Sequence, residues 1–360
     1  MVIHNVVAFV LLLDEIVIYS AGLVFGRGAG LGVIFLLLCV LCFYKIKTTL
    51  PFLITALALI FQLAVDFQVI NIFFLLIYLA HVVVSSAVKK EMQSTEIYGF
   101  VIVAIFFCSL TSWLGHDIFS YITGAVLNRP TGLYSEPSHL AYYVAIAYYL
   151  HDRFSQKKRE IINILAIATI LMNFSLTGLL PLAYISFKIQ QVKGYPYLKF
   201  FLMIAVFIAL YQERDYLFER IAFDHENLSL TLGVLIYYWK MIFNEWQAYI
   251  FVGTGYDQFH RAYLEYANLN GLMIADLNST DGSFLFAKLL FEIGLISSLV
   301  FILKICFSIR NPSFFIFLLF MQFLFLRGFP ITSSVVMLMI VSSLMLAPNN
   351  TLKRESFDRN

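Results

Sequence analysis

Charge is what this sequence has least of. Only 13% of its 360 residues are Asp, Glu, Lys or Arg, against 61% hydrophobic and 17% aromatic, and the mean hydropathy is +0.84. That balance excludes an ordinary soluble globular domain, which carries about 25% charged residues. Cysteine is scarce as well. Cys39, Cys42, Cys108 and Cys306 all fall inside apolar runs, which excludes a disulfide framework; the "CVLC" at 39–42 is Cys-x-x-Cys by spelling only, with no redox or metal role expected. Nucleotide-handling motifs are missing too. There is no P-loop and no Asp-x-Asp pair, and the glycine turn "VGTGYDQF" (252–259) lacks the strand-to-helix setting of a dinucleotide site. Neither a basic n-region nor a small-residue cleavage site marks the start, so the first apolar run is expected to be a retained span.

Long apolar runs are what the chain has in their place. Runs of about span length occur near 5–25, 29–44, 50–66, 69–88, 97–114, 138–151, 160–174, 175–190, 197–211, 284–306, 312–327 and 331–347. The expected fold class is therefore all-α: a polytopic membrane protein of about 12 transmembrane helices, with 1–360 as a single integral membrane domain. With the N-terminus in the cytoplasm, alternating spans put Lys45/Lys47, Lys89/Lys90, Arg153/Lys157/Lys158/Arg159, Lys188/Lys193/Lys199, Lys304/Arg310 and Lys353/Arg354/Arg359 on one side. These are 16 of the 24 basic residues, and their excess marks that side, with both termini, as cytoplasmic. The same threading requires the run from 160 to 190 to turn back near Ser175-Leu176-Thr177-Gly178, because both its flanks are basic.

The opposite face receives Arg27, a 115–137 loop, a long 212–282 segment between the ninth and tenth spans, and the turn Arg327-Gly328-Phe329-Pro330. ATP and nucleotide sugars are cytoplasmic, so chemistry on this outer face needs a substrate that carries its own activation. The stretch "NRPTGLYSEPSHLAYYVAIAYYL" (128–150) concentrates the candidates there. Glu136 precedes Pro137, which predicts an extended N-cap followed by a first helical residue, and His139 falls in the same first turn. A carboxylate there is favoured by the helix dipole, either as a cap alone or as a general base. Arg129 reads either as an interfacial anchor or as a phosphate contact. Arg214, Arg220, Arg261 and Arg327 share its face, where Lys240 and Lys288 are the exceptions. Because Arg grips phosphate with two parallel N–H donors, this bias suits a phosphate or pyrophosphate ligand.

The remaining outer features have bland readings beside functional ones. "QERDYLFERIAFDHENLS" reads as a solvated amphipathic helix, and Tyr237, Tyr238, Trp239 and Trp246 read as an interfacial aromatic layer or as sugar-stacking faces. Asp276 and Asp281 are outer acids at the re-entry to the membrane, with Ser279 or Asp281 as helix cap. Lys288 and Glu292 lie one turn apart inside a span and are expected to pair. Asp14 and Glu15 in the first span find no role.

Taken in order, "RPTGLYSEPSHLA", the "VGTGYDQF" turn, "FEIGLISSL" after a Ser/Asp-led re-entry, and a late outer "LRGFP" resemble the O-antigen polymerases of the Wzy type, relatives of the O-antigen ligases among lipid-linked glycosyltransferases. The resemblance covers about 115–335. It implies a GT-C-like architecture in a bacterial inner membrane with a periplasmic active face. It also implies transfer of a growing glycan from undecaprenyl pyrophosphate to the next lipid-linked repeat unit, in O-antigen or exopolysaccharide synthesis. Arg129, Arg220, Arg261 and Arg327 would then hold pyrophosphate, Tyr134 and Asp281 would contact the glycan, and Glu136, with His139 second, would be the base. Direct displacement would invert the anomeric carbon, Arg129, Arg261 and Arg327 would stabilise the leaving diphosphate without metal, and no cofactor is expected. The expected partners are undecaprenyl-pyrophosphate-linked oligosaccharide and membrane lipids, with a chain-length regulator left open and no nucleic acid. The loop "ENLSLTLGVLIYYW" lacks the Arg common before the aromatic helix, and 276–288 lacks the histidine that ligases use, which sets the ligase reading behind. A flippase or other transporter is the rival class, but repeat-built transporters have similar halves, and only the second half here has a hairpin and a long outer segment.

Overall fold

The computed structural model describes residues 95–124, 131–134, 136–155, 160–173 and 175–191 continuously, with isolated positions and short pieces between 5 and 16 and between 200 and 322. Every regular element among the described residues is helical, and none is a strand. They are α1 (Ile97–Trp113), α2 (Ile118–Thr123), α3 (Pro137–Phe154), α4 (Glu160–Met172), a 3₁₀ turn η1 (Leu176–Gly178) and α5 (Leu179–Gln191). Four of them, α1, α3, α4 and α5, stand where the apolar runs predict helices. No helix among the described residues is both long and apolar enough to cross a membrane.

Local chemistry explains the boundaries. α1 carries no charged residue along its 17 positions and stops at Gly115, whose φ is +94°. There the N–H of Gly115 returns to the Ser112 carbonyl at 3.0 Å and that of His116 to the Thr111 carbonyl at 2.9 Å, the two reversed bonds of a Schellman stop. α3 starts as the Glu-Pro pair predicts. Glu136 is extended (φ −143°, ψ 149°) and Pro137 takes the first helical position. Its last turn carries His151 and Arg153, on the side the helix dipole favours. α4 gives way at Asn173, whose side-chain amide donates back to the Thr169 carbonyl at 3.0 Å.

Contacts at the helix ends fix their directions. At one end the Thr95 N–H donates to the Phe154 carbonyl at 3.0 Å and the Ser155 hydroxyl to Glu96 Oε2 at 2.8 Å, so the start of α1 meets the end of α3. Lys188, late in α5, pairs with Asp152 at 3.0 Å at this same end. At the other end the Ser175 hydroxyl reaches the Pro137 carbonyl at 3.5 Å, which puts η1 beside the start of α3. α1 and α4 therefore run one way, α3 and α5 the other, and α4–η1–α5 is the hairpin that the basic flanks require. Gly178 lets that turn sit close, since a Cβ there would lie 2.9 Å from Ile170 Cγ2 and 3.6 Å from the Ala141 Cβ.

α3 is the centre of this bundle. Every residue from Leu140 to Leu150 is at most 4% exposed, a helix covered on all sides. The outer faces are apolar as well, with Phe100 (68%) and Phe107 (56%) on α1, Ile161 on α4 and Phe187 on α5 all exposed.

Candidate functional site

The end of the bundle that holds the start of α3 gathers most of the sequence's candidates, and its organiser is Asp117. This carboxylate caps α2 by accepting from the Ser120 N–H at 2.9 Å and the Ser120 hydroxyl at 2.6 Å. Its other oxygen accepts from the Ser112 hydroxyl of α1 at 2.6 Å and from the Gly132 N–H at 3.0 Å. Burial pushes the carboxyl up, but these hydrogen bonds from Ser112, Ser120 and Gly132 outweigh it and hold the group below the usual carboxylate range. The Gly132 carbonyl in turn accepts the Phe119 N–H at 2.8 Å. One residue thus ties the end of α1, the start of α2 and the loop before α3 together.

Gly132 is pressed directly onto the α1 backbone. Its φ is +85°, and a Cβ would lie 2.6 Å from the Cys108 carbonyl carbon and 2.8 Å from the Ser109 nitrogen. Beside it Thr131 is wholly buried, its hydroxyl donating to the Tyr134 carbonyl while its own carbonyl accepts the Ser109 hydroxyl at 3.5 Å. The loop that leads into Glu136 is therefore folded against the bundle.

Glu136 occupies the N-cap position, yet its side chain makes no capping bond. The N–H groups of His139 and Leu140 go to its main-chain carbonyl at 3.1 and 3.2 Å, while its Oε2 accepts the Ser138 hydroxyl at 3.0 Å. Glu136 and His139 are both partly exposed, whereas Ser138 between them is buried. The carboxylate and the imidazole thus share the first turn of α3, as their spacing predicts. Tyr134 is placed differently from an open sugar platform. It is fully buried, stacks on Tyr143 with centroids 4.8 Å apart, and donates its hydroxyl to the Leu11 carbonyl at 2.7 Å. Its ring is part of the core, and its hydroxyl holds Leu11 at this end.

η1 adds hydroxyls to the same end. Ser175 and Thr177 are 2.9 Å apart oxygen to oxygen, both are buried, and the Thr177 carbonyl accepts the Gln322 side-chain amide at 3.3 Å. Elsewhere two motifs set far apart in the sequence meet. The N–H and hydroxyl of Thr254, in the "VGTGYDQF" turn, donate to the Phe291 carbonyl of "FEIGLISSL" at 2.8 and 3.0 Å. Gly294 (φ +76°) comes so near that a Cβ would strike the Phe251 carbonyl. Trp239 stacks on Phe243 and lies against Phe286, and Arg214 covers the Tyr211 ring at 4.3 Å.

Arg129, Arg220, Arg261, Arg327 and Asp281 lie outside the described residues, as do Asp276, Ser279, the Lys288–Glu292 pair and Asp14 with Glu15. Of the residues expected at the site, the structure brings together Glu136 and His139, with Tyr134 beneath them in the core. It adds Asp117, Ser138 and Gln322, which the sequence reading does not single out, and Ser175 and Thr177, which that reading marks only as the hairpin turn. An Asp three residues before a Ser at a helix start is the one signal that marks Asp117 in advance. No family model, curated protein or solved structure matches this chain.

Proposed function

We propose that this chain is an integral membrane glycosyltransferase that polymerises lipid-linked oligosaccharide repeat units on the outer face of a bacterial inner membrane. The observation that carries the reading is the polarity of the bundle. The end that holds Arg153 and Lys188 is the expected cytoplasmic one, and Glu136 sits at the opposite end with its carboxylate turned away from capping. Exposed Phe100, Phe107, Ile161 and Phe187 on the outer faces suit a lipid surround better than water.

In this mechanism the acceptor hydroxyl attacks the anomeric carbon of the lipid-linked donor. The new C–O bond forms as the bond to the pyrophosphate breaks, and undecaprenyl pyrophosphate leaves. Glu136 takes the acceptor's proton, with His139 as the alternative base on the same turn. Ser138, by donating to Glu136 Oε2, orients the carboxylate. Arg129, Arg261 and Arg327 stabilise charge growing on the diphosphate, with Arg220 on the same ligand, and Asp281 contacts the glycan. Direct displacement inverts the anomeric centre. Incubating the purified protein with lipid-linked repeat units tests the reading: a ladder of longer lipid-linked products is expected, and unchanged single units would overturn it.

A further inference from the structure

Gln322 is a polar side chain in a run of apolar ones, "LLFMQFLFL", and it reaches across 145 residues to the hairpin turn. Its Nε2 donates to the Thr177 carbonyl at 3.3 Å. A carbonyl only accepts, so the NH₂ must face Thr177 and the amide oxygen is turned elsewhere. That oxygen, Oε1, is buried and has no hydrogen-bond partner among the described residues. An unpaired buried acceptor costs about 1–3 kcal/mol and so asks for an explanation, of which a bound ligand is one.

Its surroundings say what kind of ligand. From Thr177 the Ser175 hydroxyl leads to the Pro137 carbonyl, and one residue on, the Ser138 hydroxyl donates to Glu136. Linked one to the next, these hydroxyls, amide and carboxylate form a donor-and-acceptor set that a sugar's hydroxyls match. Resting on the polymerase reading above, we infer that this set is the acceptor-glycan subsite, in which Gln322 Oε1 receives a hydroxyl or amide N–H of the sugar that lies beside Glu136. The amide oxygen positions the sugar, and the Nε2 bond to Thr177 fixes the oxygen.

Hydrogen exchange of the full-length protein in lipid nanodiscs tests this, with undecaprenyl-pyrophosphate-linked trisaccharide and undecaprenyl pyrophosphate alone as the two probes. The expected result is protection of peptides spanning 173–178 and 318–322 by the glycan-bearing lipid and not by the bare one. Gln322→Met, which removes the oxygen, should raise the half-saturating concentration about tenfold, the size of one hydrogen bond. The same variant should leave half-saturation by undecaprenyl pyrophosphate alone within about threefold of wild type. Equal protection by both lipids, wild-type binding by Gln322→Met, or equal loss for both lipids in Gln322→Met would each overturn the subsite, the last because it marks a tether only. Polymer formation without glycan-specific protection would sink this inference and leave the polymerase reading standing. Glycan-specific protection without polymer would do the reverse.

Discussion

The Asp117 carboxylate accepts the main-chain N–H of Gly132, fifteen residues downstream, at 3.0 Å, and so joins the end of α1 to the loop that enters α3. Replacing Asp117 with Ala should remove an N-cap and a charged acceptor together, and cost about 1–3 kcal/mol in thermal or denaturant unfolding. The effect has a pH signature. Because the folded carboxyl is held below its usual range, its contribution is complete above the unfolded value of about 3.9 and is lost as pH falls through the lower folded value. The stability gap between wild type and Asp117→Asn should therefore be flat from neutral pH down to about pH 5 and close only in stronger acid. A gap that instead widens in acid would mean the carboxylate is not stabilising.

Gly132 and Gly124 make a matched pair. Both have positive φ, +85° and +70°, but a Cβ at Gly132 collides with the Cys108 main chain whereas one at Gly124 meets nothing within 4 Å. Gly124→Ala should cost about 1–2 kcal/mol, the left-handed penalty alone. Gly132→Ala should cost clearly more, because two pieces of backbone must separate, and folded yield and unfolding temperature will rank them. Equal losses would argue against the close approach.

Sidedness is testable in intact cells. In a cysteine-free background, Tyr121→Cys, at a position 91% exposed on α2, should react with an impermeant thiol reagent. Gln156→Cys, between α3 and α4 at the basic end, should not. Labelling at 156 with protection at 121 would invert the proposed topology.

The arginines separate phosphate recognition from membrane anchoring. If Arg129 and Arg327 grip the diphosphate, Lys at either position should lose most of the polymer, since Lys keeps the charge without the planar two-pronged donor. An anchor tolerates the change, because Lys reaches headgroups about as well. Activity should also survive EDTA; a reproducible need for added magnesium or manganese would point to Asp276 and Asp281 as ligands and overturn the metal-free mechanism.

Local and periodic features were readable from the chain alone. Apolar runs located α1, α3, α4 and α5, the Glu-Pro pair located the start of α3, and the basic flanks required the turn that η1 makes. What was not readable depends on distant partners. Tyr134, which the resemblance puts in contact with the glycan, is held in the core by the Leu11 carbonyl and the Tyr143 ring. For Asp117 only the bond to Ser120 is local, while those from Gly132 and Ser112, which make it a junction, are set by packing. Gln322 is one amide in an apolar run, and only the fold reveals that its neighbour is Thr177.

The most direct test of the central claim compares wild type and Glu136→Gln in one purified assay with lipid-linked repeat units, with unfolding temperature measured on the same samples. Because Gln keeps the shape of Glu136 and its amide oxygen can still accept the Ser138 hydroxyl, stability should change by less than about 1 kcal/mol. The expected result is a ladder from wild type and single units from Glu136→Gln, at matched unfolding temperatures. A full ladder from Glu136→Gln would contradict the assignment of the base and move it to His139, and single units from both proteins would contradict the polymerase itself.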